Sequence, residues 1–272
     1  MPMKFEPSEQ GQLEGRLSEQ SRRPLWLGLL AFVLIAIVWE VLARCSGWSS
    51  HIFPDLLTVV VSMWQLLSDG TLVRHTVASL FRVTAGFYLA VLLGVPLGIL
   101  LGRIWLVRSF LNPVIQFLRP ISPLAWIPLA MLWFGIGDPP AIFLIFLSSF
   151  FPMVVSTTIA VNNINPTFFQ VAANLKFKRS EMITTLILPA IIPEVVTALR
   201  LTITIAWLVV VAAEMIAVQS GLGYLILDAR NALRMDYVMD GMIVIGLIGI
   251  VLDALMRKLG NIESASWGVK AR

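Results

Sequence analysis

Side chains that could carry out catalysis or hold a metal ion are scarce in this chain of 272 residues. Cys45 is the only cysteine, which excludes an intrachain disulfide and a cysteine metal cluster. The two histidines, His51 and His75, lie far from any acidic cluster and are interpreted as surface or interface residues. Inside the apolar stretches there is no paired-carboxylate or nucleophile arrangement typical of an enzyme. The sequence therefore predicts a non-catalytic protein without a metal site.

The segment with the most conspicuous charge is QVAANLKFKRSEMITTLILP, residues 170–189, which interrupts two long apolar stretches. Its cations are Lys176, Lys178 and Arg179. One interpretation is that they only retain this loop on the cytoplasmic side of a membrane. A second interpretation is that the loop is a docking surface for a partner.

The docking interpretation depends on a pair of short helices. Asn165-Pro166 gives a start signal for a helix over TFFQVAANLKF, and Ser180 is the predicted N-cap of a second helix over SEMITTLIL. Small side chains on the first helix would let a partner approach closely. These are Val171, Ala172 and Ala173.

The elements that must position this loop follow from an apolar composition. Hydrophobic residues make up 58% of the chain and charged residues 13%, against about 25% charged in a typical soluble domain. The mean hydropathy is +0.85, and the apolar residues occur in long runs, as in multi-pass membrane proteins surrounded by lipid. The net charge of +4 is modest, so nucleic acid is not an expected partner.

Six membrane spans are predicted. They are 25–43, 83–102, a segment centred on 120–135, 141–161, and the runs LTITIAWLVVVAA and GMIVIGLIGIVL. The last two are short between charges, but charged residues near span ends or facing a bundle interior are tolerated. In the second span, glycines recur at four-residue spacing, which favours close helix packing; in the third, several prolines predict a kink. Residues 45–82 are expected to be external or interfacial, with one helix over LLTVVVSMWQLL.

The distribution of lysine and arginine predicts the orientation of the chain. Basic residues cluster in the loops that are inside if the N-terminus is cytoplasmic, so both termini are predicted to be cytoplasmic. The expected organisation is a cytoplasmic tail over 1–23, a transmembrane domain over 24–260 with the cytoplasmic docking loop at 162–188, and a second cytoplasmic tail over 261–272. The predicted fold class is an all-α membrane protein.

If the spans enclose a path for a solute, the polar and aromatic residues within them are candidates to line it. A hydroxyl in a membrane helix often only satisfies a backbone carbonyl, and an arginine on a span must pair, reach the interface or meet a ligand. A mid-span tryptophan is either packing or a gate. Glu214 is interpreted as a structural pair or a contact for an external protein. The pathway candidates are Ser122, Trp126, Arg200, Thr204 and Trp207.

The basic loop resembles the cytoplasmic loop of bacterial ABC-importer permeases. The pattern in those permeases is Glu-Ala-Ala, then three residues, a Gly, nine residues and Ile-x-Leu-Pro. In this sequence it falls on Gln170-Val171-Ala172, on Lys176 and on Leu186 to Pro189. Gln170 replaces the glutamate and Lys176 replaces the glycine. A lysine there requires a negative φ angle or tolerance of strain. The segments 119–138, 188–217 and 220–231 resemble permeases for sulfonate, taurine, nitrate and bicarbonate uptake.

This resemblance implies a permease subunit of a type I importer that takes up a small anion by alternating access across the bacterial inner membrane. Its implied partners are a second permease copy, cytosolic ABC ATPase subunits, an extracytoplasmic binding protein and membrane lipid. The coupling residues would be Gln170, Val171, Ala172, Lys176 and Pro189. The chain lacks a GxxxxGK[ST] loop, so ATP and Mg²⁺ are expected only on the ATPase.

A secondary transporter without an ATPase is the alternative interpretation. Such transporters commonly contain inverted repeats and a buried acid that couples transport to protons. The sequence shows no inverted repeat and no acid that we expect to be buried in a suitable place. The ATP-driven importer is therefore the favoured prediction.

Overall fold

The computed structural model describes residues 25–45, 47, 49 and 52–260. All regular elements in these residues are helical, which confirms the predicted all-α class. The described residues separate into two compact units, with the boundary between residues 61 and 62. The predicted tails over 1–23 and 261–272 lie outside the described residues, as does His51.

In the first unit, helix α1 (Leu25–Cys45) corresponds to the first predicted span. Trp39 Nε1 donates a hydrogen bond of 3.0 Å to the carbonyl of Pro54. The carboxylate of Glu40 accepts one of 3.1 Å from the backbone N–H of Leu56, the first residue of α2 (Leu56–Ser68). Glu40 thus satisfies one of the unpaired N–H groups at a helix start.

The boundary between the units falls within α2, and the helices after α2 all belong to the second unit. They are α3 (Thr71–Arg103), α4 (Trp105–Leu118), α5 (Ile127–Phe134), α6 (Asp138–Asn162), α7 (Pro166–Asn174), α8 (Leu188–Ala217), α9 (Leu222–Asn231) and α10 (Met235–Gly260). Among the described residues, four helical stretches are long and apolar enough to cross a membrane, and the bent pair of α4 and α5 would make a fifth. The number of six spans therefore stays a prediction.

Helix α3 begins at Thr71, well before the predicted start of the second span at residue 83. Gly70 precedes it with a φ of 75°, and Asp69 accepts a hydrogen bond of 2.8 Å from the backbone N–H of Thr71. This hydrogen bond lowers the pKa of Asp69. The residues before 83 were expected to form an external connection because they include charges, but the helix continues through them.

The glycines of α3 face α6. A Cβ atom built on Gly98 would lie 2.5 Å from Thr157 Cβ, and one on Gly102 would lie 2.6 Å from Val161 Cβ. Gly86 is as close to Ile145, at 2.8 Å. The predicted role of these glycines in close helix packing is therefore confirmed, and the structure identifies α6 as the partner helix.

The predicted kink in the third span is present between α4 and α5. The two helical segments, Trp105–Leu118 and Pro123–Phe134, are bent by 88°, and the second begins with a 3₁₀ turn over Pro123–Trp126. Proline cannot donate a backbone hydrogen bond and disfavours a helical residue before it. The prolines at 120 and 123 therefore end one helix and begin the next.

Candidate functional site

The predicted docking loop begins with α7. Asn165 Oδ1 accepts a hydrogen bond of 2.9 Å from the backbone N–H of Thr167, and Pro166 occupies the first helical position. This pair of features is a favourable helix start because proline at that position lacks only an N–H that would have no helical partner. The start signal read from the sequence is confirmed.

Helix α7 is followed by a Schellman motif at Lys176, two residues after its last residue. The N–H of Phe177 donates a hydrogen bond of 3.0 Å to the carbonyl of Ala172, and the N–H of Lys176 donates one of 3.0 Å to the carbonyl of Ala173. These are the two hydrogen bonds that define the motif, which requires a left-handed residue between them. Lys176 supplies it with a φ of 56°. Of the two options for a lysine at the usual glycine position, the strained conformation is the one adopted.

A helical turn over Arg179–Glu181 follows. Its N-cap is Lys178, whose N–H donates 2.8 Å to the Glu181 carboxylate. The prediction of Ser180 as N-cap is therefore wrong, because the N-cap lies two residues earlier and Ser180 is already inside the helix. The chain continues without a break through a π-helix over Met182–Ile187 into α8.

Four of the five predicted coupling residues are exposed. They are Gln170, Val171, Lys176 and Pro189. Ala172 is different, since only 4% of its surface is exposed. A partner cannot reach its side chain, so its small size permits α7 to pack on its own chain. Phe169 of the same helix packs on Val161 and Ile187.

The two tryptophans among the pathway candidates pack within the chain. Trp207 is 5% exposed, and its Nε1 donates 3.0 Å to the carbonyl of Ile245 in α10. This is the hydrogen-bond partner that a packing role requires. Trp126 is half-buried and packs on a separate cluster that contains Leu144 and Ala213.

The polar pathway candidates have mostly local partners. Arg200 forms an ion pair of 3.0 Å with Asp253 of α10. Thr204 is exposed, and its hydroxyl donates 3.3 Å to the carbonyl of Arg200, four residues earlier. Ser122 is also exposed, just before the 3₁₀ turn. The five candidates therefore do not form one compact site.

A buried polar cluster, which we call the Arg82 cluster, was not predicted. Its centre is Arg82 of α3, which is 2% exposed. Arg82 Nη1 donates a hydrogen bond of 2.7 Å to the carboxylate of Glu214 in α8 and one of 2.8 Å to the carbonyl of Ser220. Its Nε donates 2.7 Å to Asp138, the first residue of α6. One cation thus joins α3 to the start of α6 and to the last turn of α8.

Glu214 extends this cluster to α9. Its second carboxylate oxygen accepts a hydrogen bond of 2.8 Å from Ser79 Oγ and one of 3.0 Å from the N–H of Gly223. Ser79 Oγ in turn accepts 2.9 Å from the N–H of Leu222. The N–H groups at the start of α9 are therefore paired with side chains, as a buried helix end requires. The structural-pair interpretation of Glu214 is the one observed.

Two glycines and a histidine complete the Arg82 cluster. A Cβ on Gly223 would lie 2.2 Å from the carbonyl oxygen of Val211, and one on Gly221 would lie 2.2 Å from Glu214. Gly221 also has a φ of 104°, and its N–H donates 2.9 Å to His75 Nδ1. Only glycine fits at both positions, which explains the SGLG sequence.

The sequence contains a signal for this cluster. Glu214 follows a long apolar run, and a buried acid needs a cationic partner. Asp240 is a second fully buried acid, and Ser62 Oγ donates 2.6 Å to it. The prediction was that no buried acid is well placed for proton coupling; the two buried acids are paired, Glu214 with Arg82 and Asp240 with Ser62. Among the described residues, no group of histidine, cysteine and acidic side chains could hold a metal ion.

The family described as binding-protein-dependent transport system inner membrane component matches residues 94–261. A putative ABC transporter permease of Methanocaldococcus jannaschii is 40% identical over 229 residues, which cover 82% of this chain and 85% of that protein. A putative aliphatic sulfonates transport permease of Bacillus subtilis is 35% identical, with 86% and 85% covered. The taurine transport system permease of Escherichia coli is 35% identical, with 86% of each covered.

A solved structure supports the same fold. The MetNI methionine ABC transporter, in an inward-facing conformation, contains a chain that aligns with a TM-score of 0.54 and 16% sequence identity. The alignment covers 66% of this chain and 92% of that one. From the matched family, the identity to the permeases and the apolar helices, we conclude that this chain is a multi-pass membrane protein that belongs to the inner-membrane components of binding-protein-dependent transport systems, the permeases of ABC importers.

Proposed function

We propose that this permease carries a small anion across the bacterial inner membrane. The observation that carries the substrate class is its identity of 35% to permeases named for aliphatic sulfonates, nitrate and taurine, each over more than four fifths of this chain. These named substrates differ in size but share an anionic group of oxygens. Bicarbonate has the same property and is included in the proposed class.

Energy for transport enters through α7. The exposed side chains of Gln170, Val171 and Lys176 form the surface that a cytosolic ATPase contacts, while Ala172 and Phe169 hold the helix on its own chain. The continuous helical path from Arg179 into α8 lets a displacement of α7 move α8 as a rigid element. ATP and Mg²⁺ are bound by the ATPase and not by this chain.

Two copies of the chain enclose the pathway. Helix α8 has an exposed stripe of Thr197, Leu201, Thr204 and Leu208, whose spacing puts these side chains on one helix face. Two of them are hydroxyls on a face that would otherwise be apolar. We assign this stripe and Ser122 to the pathway or the interface between copies, whereas Trp126, Trp207 and Arg200 hold the helices in position.

The orientation places α7 inside the cell and the loop between α8 and α9 outside, where a binding protein delivers the anion. Cysteine labelling in a Cys45→Ala background tests this orientation on intact cells. A cysteine at the exposed position Gln219 should react with an impermeant reagent, whereas one at Ser180 should react only after permeabilisation. External labelling at Ser180 would contradict the orientation.

The transport activity is tested with the complex of permease, ATPase and binding protein in proteoliposomes. We expect taurine, an alkanesulfonate, nitrate or bicarbonate to stimulate ATP hydrolysis and to be taken up only when ATP is supplied. Uncharged solutes of similar size are the control. Uptake that follows a proton gradient without ATP would instead favour the secondary-transporter alternative.

A further inference from the structure

An apolar groove lies between the last part of α3 and the π-helix that leads into α8. Its volume is about 760 Å³, within the range of about 300–1,000 Å³ found for sites that enclose small organic ligands. Pro96, Ile99 and Leu100 form one wall, and Met182, Ile183 and Ile187 form the other. We call it the α3–π groove. No residue of this groove belongs to the Arg82 cluster or to the α8 stripe.

Two arginines line one end of the α3–π groove. They are Arg103, the last residue of α3, and Arg179, the first residue of the turn before the π-helix. Both are exposed, and within the described residues neither forms an ion pair with a carboxylate. The groove therefore combines an apolar body with an unneutralised cationic end.

We infer that the α3–π groove binds a phospholipid with an anionic headgroup from the cytoplasmic leaflet. In this assignment an acyl chain lies along the apolar walls, and the headgroup phosphate contacts Arg103 and Arg179. Guanidinium groups form strong hydrogen bonds with phosphate oxygens. Basic pockets between membrane helices on the cytoplasmic side are suited to anionic lipid headgroups.

The length of the groove agrees with this occupant. The wall from Val95 to Arg103 spans eight helical steps, or about 12 Å at 1.5 Å per residue. One leaflet contributes about half of a hydrocarbon core of about 30 Å. The groove therefore extends across most of one leaflet, and its cationic end lies where the positive-inside rule puts the cytoplasmic interface.

The headgroup site also contacts the coupling helix. The guanidinium carbon of Arg103 lies 4.1 Å from the ring centroid of Phe169 in α7, and Arg103 Nη2 donates 3.4 Å to the sulfur of Met182. These contacts hold Arg103 at the mouth of the groove. A bound lipid would therefore brace α7 and the π-helix against α3.

Native mass spectrometry of the full-length permease, after delipidation and re-addition of defined lipids, tests the inference. We expect phosphatidylglycerol to be retained in preference to phosphatidylcholine. Replacement of both arginines, Arg103→Gln with Arg179→Gln, should weaken phosphatidylglycerol binding about tenfold or more, since each basic residue near an anionic surface contributes measurably. The matched control is Arg108→Gln with Lys178→Gln, which removes two cationic side chains that do not line the groove and should leave binding unchanged.

A second pair of variants tests the acyl chain. Leu100 is 41% exposed and lines the groove, whereas Leu92 is 68% exposed on the same helix outside it. Leu100→Trp should fill the groove and weaken lipid retention, and Leu92→Trp should not; the exposure of both positions lets the larger ring be accommodated without unfolding.

Three results would overturn the inference. An equal loss of phosphatidylglycerol binding in the groove variant and in its matched charge control would show only a general attraction of basic residues to anionic lipid. Unchanged retention in Leu100→Trp would show that the tail lies elsewhere. Disulfide formation between two copies through Leu100→Cys, in a Cys45→Ala background and regardless of lipid, would show that a second permease occupies the groove. None of these readouts depends on transport, so they stand apart from the test of the proposed substrate.

Discussion

The guanidinium of Arg82 lies 2.7 Å from the carboxylate of Glu214, although 132 positions separate the two residues in the chain. Both side chains are buried. Together with Asp138 and the start of α9, this pair connects the helices α3, α6, α8 and α9. Because α8 also carries the proposed pathway stripe, the pair determines how that stripe is held.

We expect Arg82→Met to destabilise the permease by about 3–5 kcal/mol, because it leaves Glu214 as a buried charge without its cation. The measurement is the midpoint of thermal unfolding in detergent, followed by size-exclusion chromatography. The double variant Arg82→Met with Glu214→Gln should recover part of this loss, since both charges are then removed. A double variant that is as unstable as the sum of the two single variants would show that the pair is not coupled.

Lys176→Gly should stabilise the loop by roughly 1 kcal/mol, because glycine adopts a φ of 56° without the clash that a Cβ causes. The control is Lys178→Gly, since Lys178 has a φ of −69° and gains nothing from glycine. Thermal unfolding of both variants gives the comparison. Equal effects at the two positions would show that the left-handed conformation at Lys176 carries no strain.

The opposite exposures of Val171 and Ala172 predict different outcomes for the same substitution. Val171 is 49% exposed, so Val171→Trp should reduce retention of the ATPase on affinity-tagged permease and leave the permease monodisperse. Ala172→Trp should disturb the permease itself, because its side chain faces the chain interior.

Lys178→Ala and Arg179→Ala are the controls for charge at the α7 surface. An exposed charge contributes little, since even an exposed ion pair is worth only about 0.2–1 kcal/mol, so these variants should retain most of the ATPase. If the charge variants lost most of the ATPase and Val171→Trp retained all of it, the result would favour the interpretation that the basic residues only hold the loop on the cytoplasmic side.

Trp207→Phe separates the packing role of this residue from a gate role. It removes the hydrogen bond to Ile245, so we expect a loss of stability of about 1 kcal/mol and unchanged ATP hydrolysis without substrate. Trp133→Phe, at a position 55% exposed, is the control and should change neither. Raised basal hydrolysis with reduced uptake in Trp207→Phe would instead support a gate.

Local features of this protein could be predicted from its sequence. The apolar runs indicate membrane helices because backbone polar groups in lipid must be paired within the segment. Asn165-Pro166 predicts the start of α7, and the glycines of α3 predict a close helix contact, because these signals act within one or two turns. Even here, the sequence did not show that α3 begins as early as Thr71.

The partners of buried groups were decided by the tertiary structure. Nothing near Arg82 in the chain indicates that its acids are Asp138 and Glu214, and nothing near Ala172 indicates that its side chain faces inward. A helix allows several faces to be buried, and the one that is buried depends on which other helices pack beside it. The cost of an unpaired buried charge requires that Arg82 and Glu214 meet such partners, but only the folded arrangement of α3, α6 and α8 determines which ones they are.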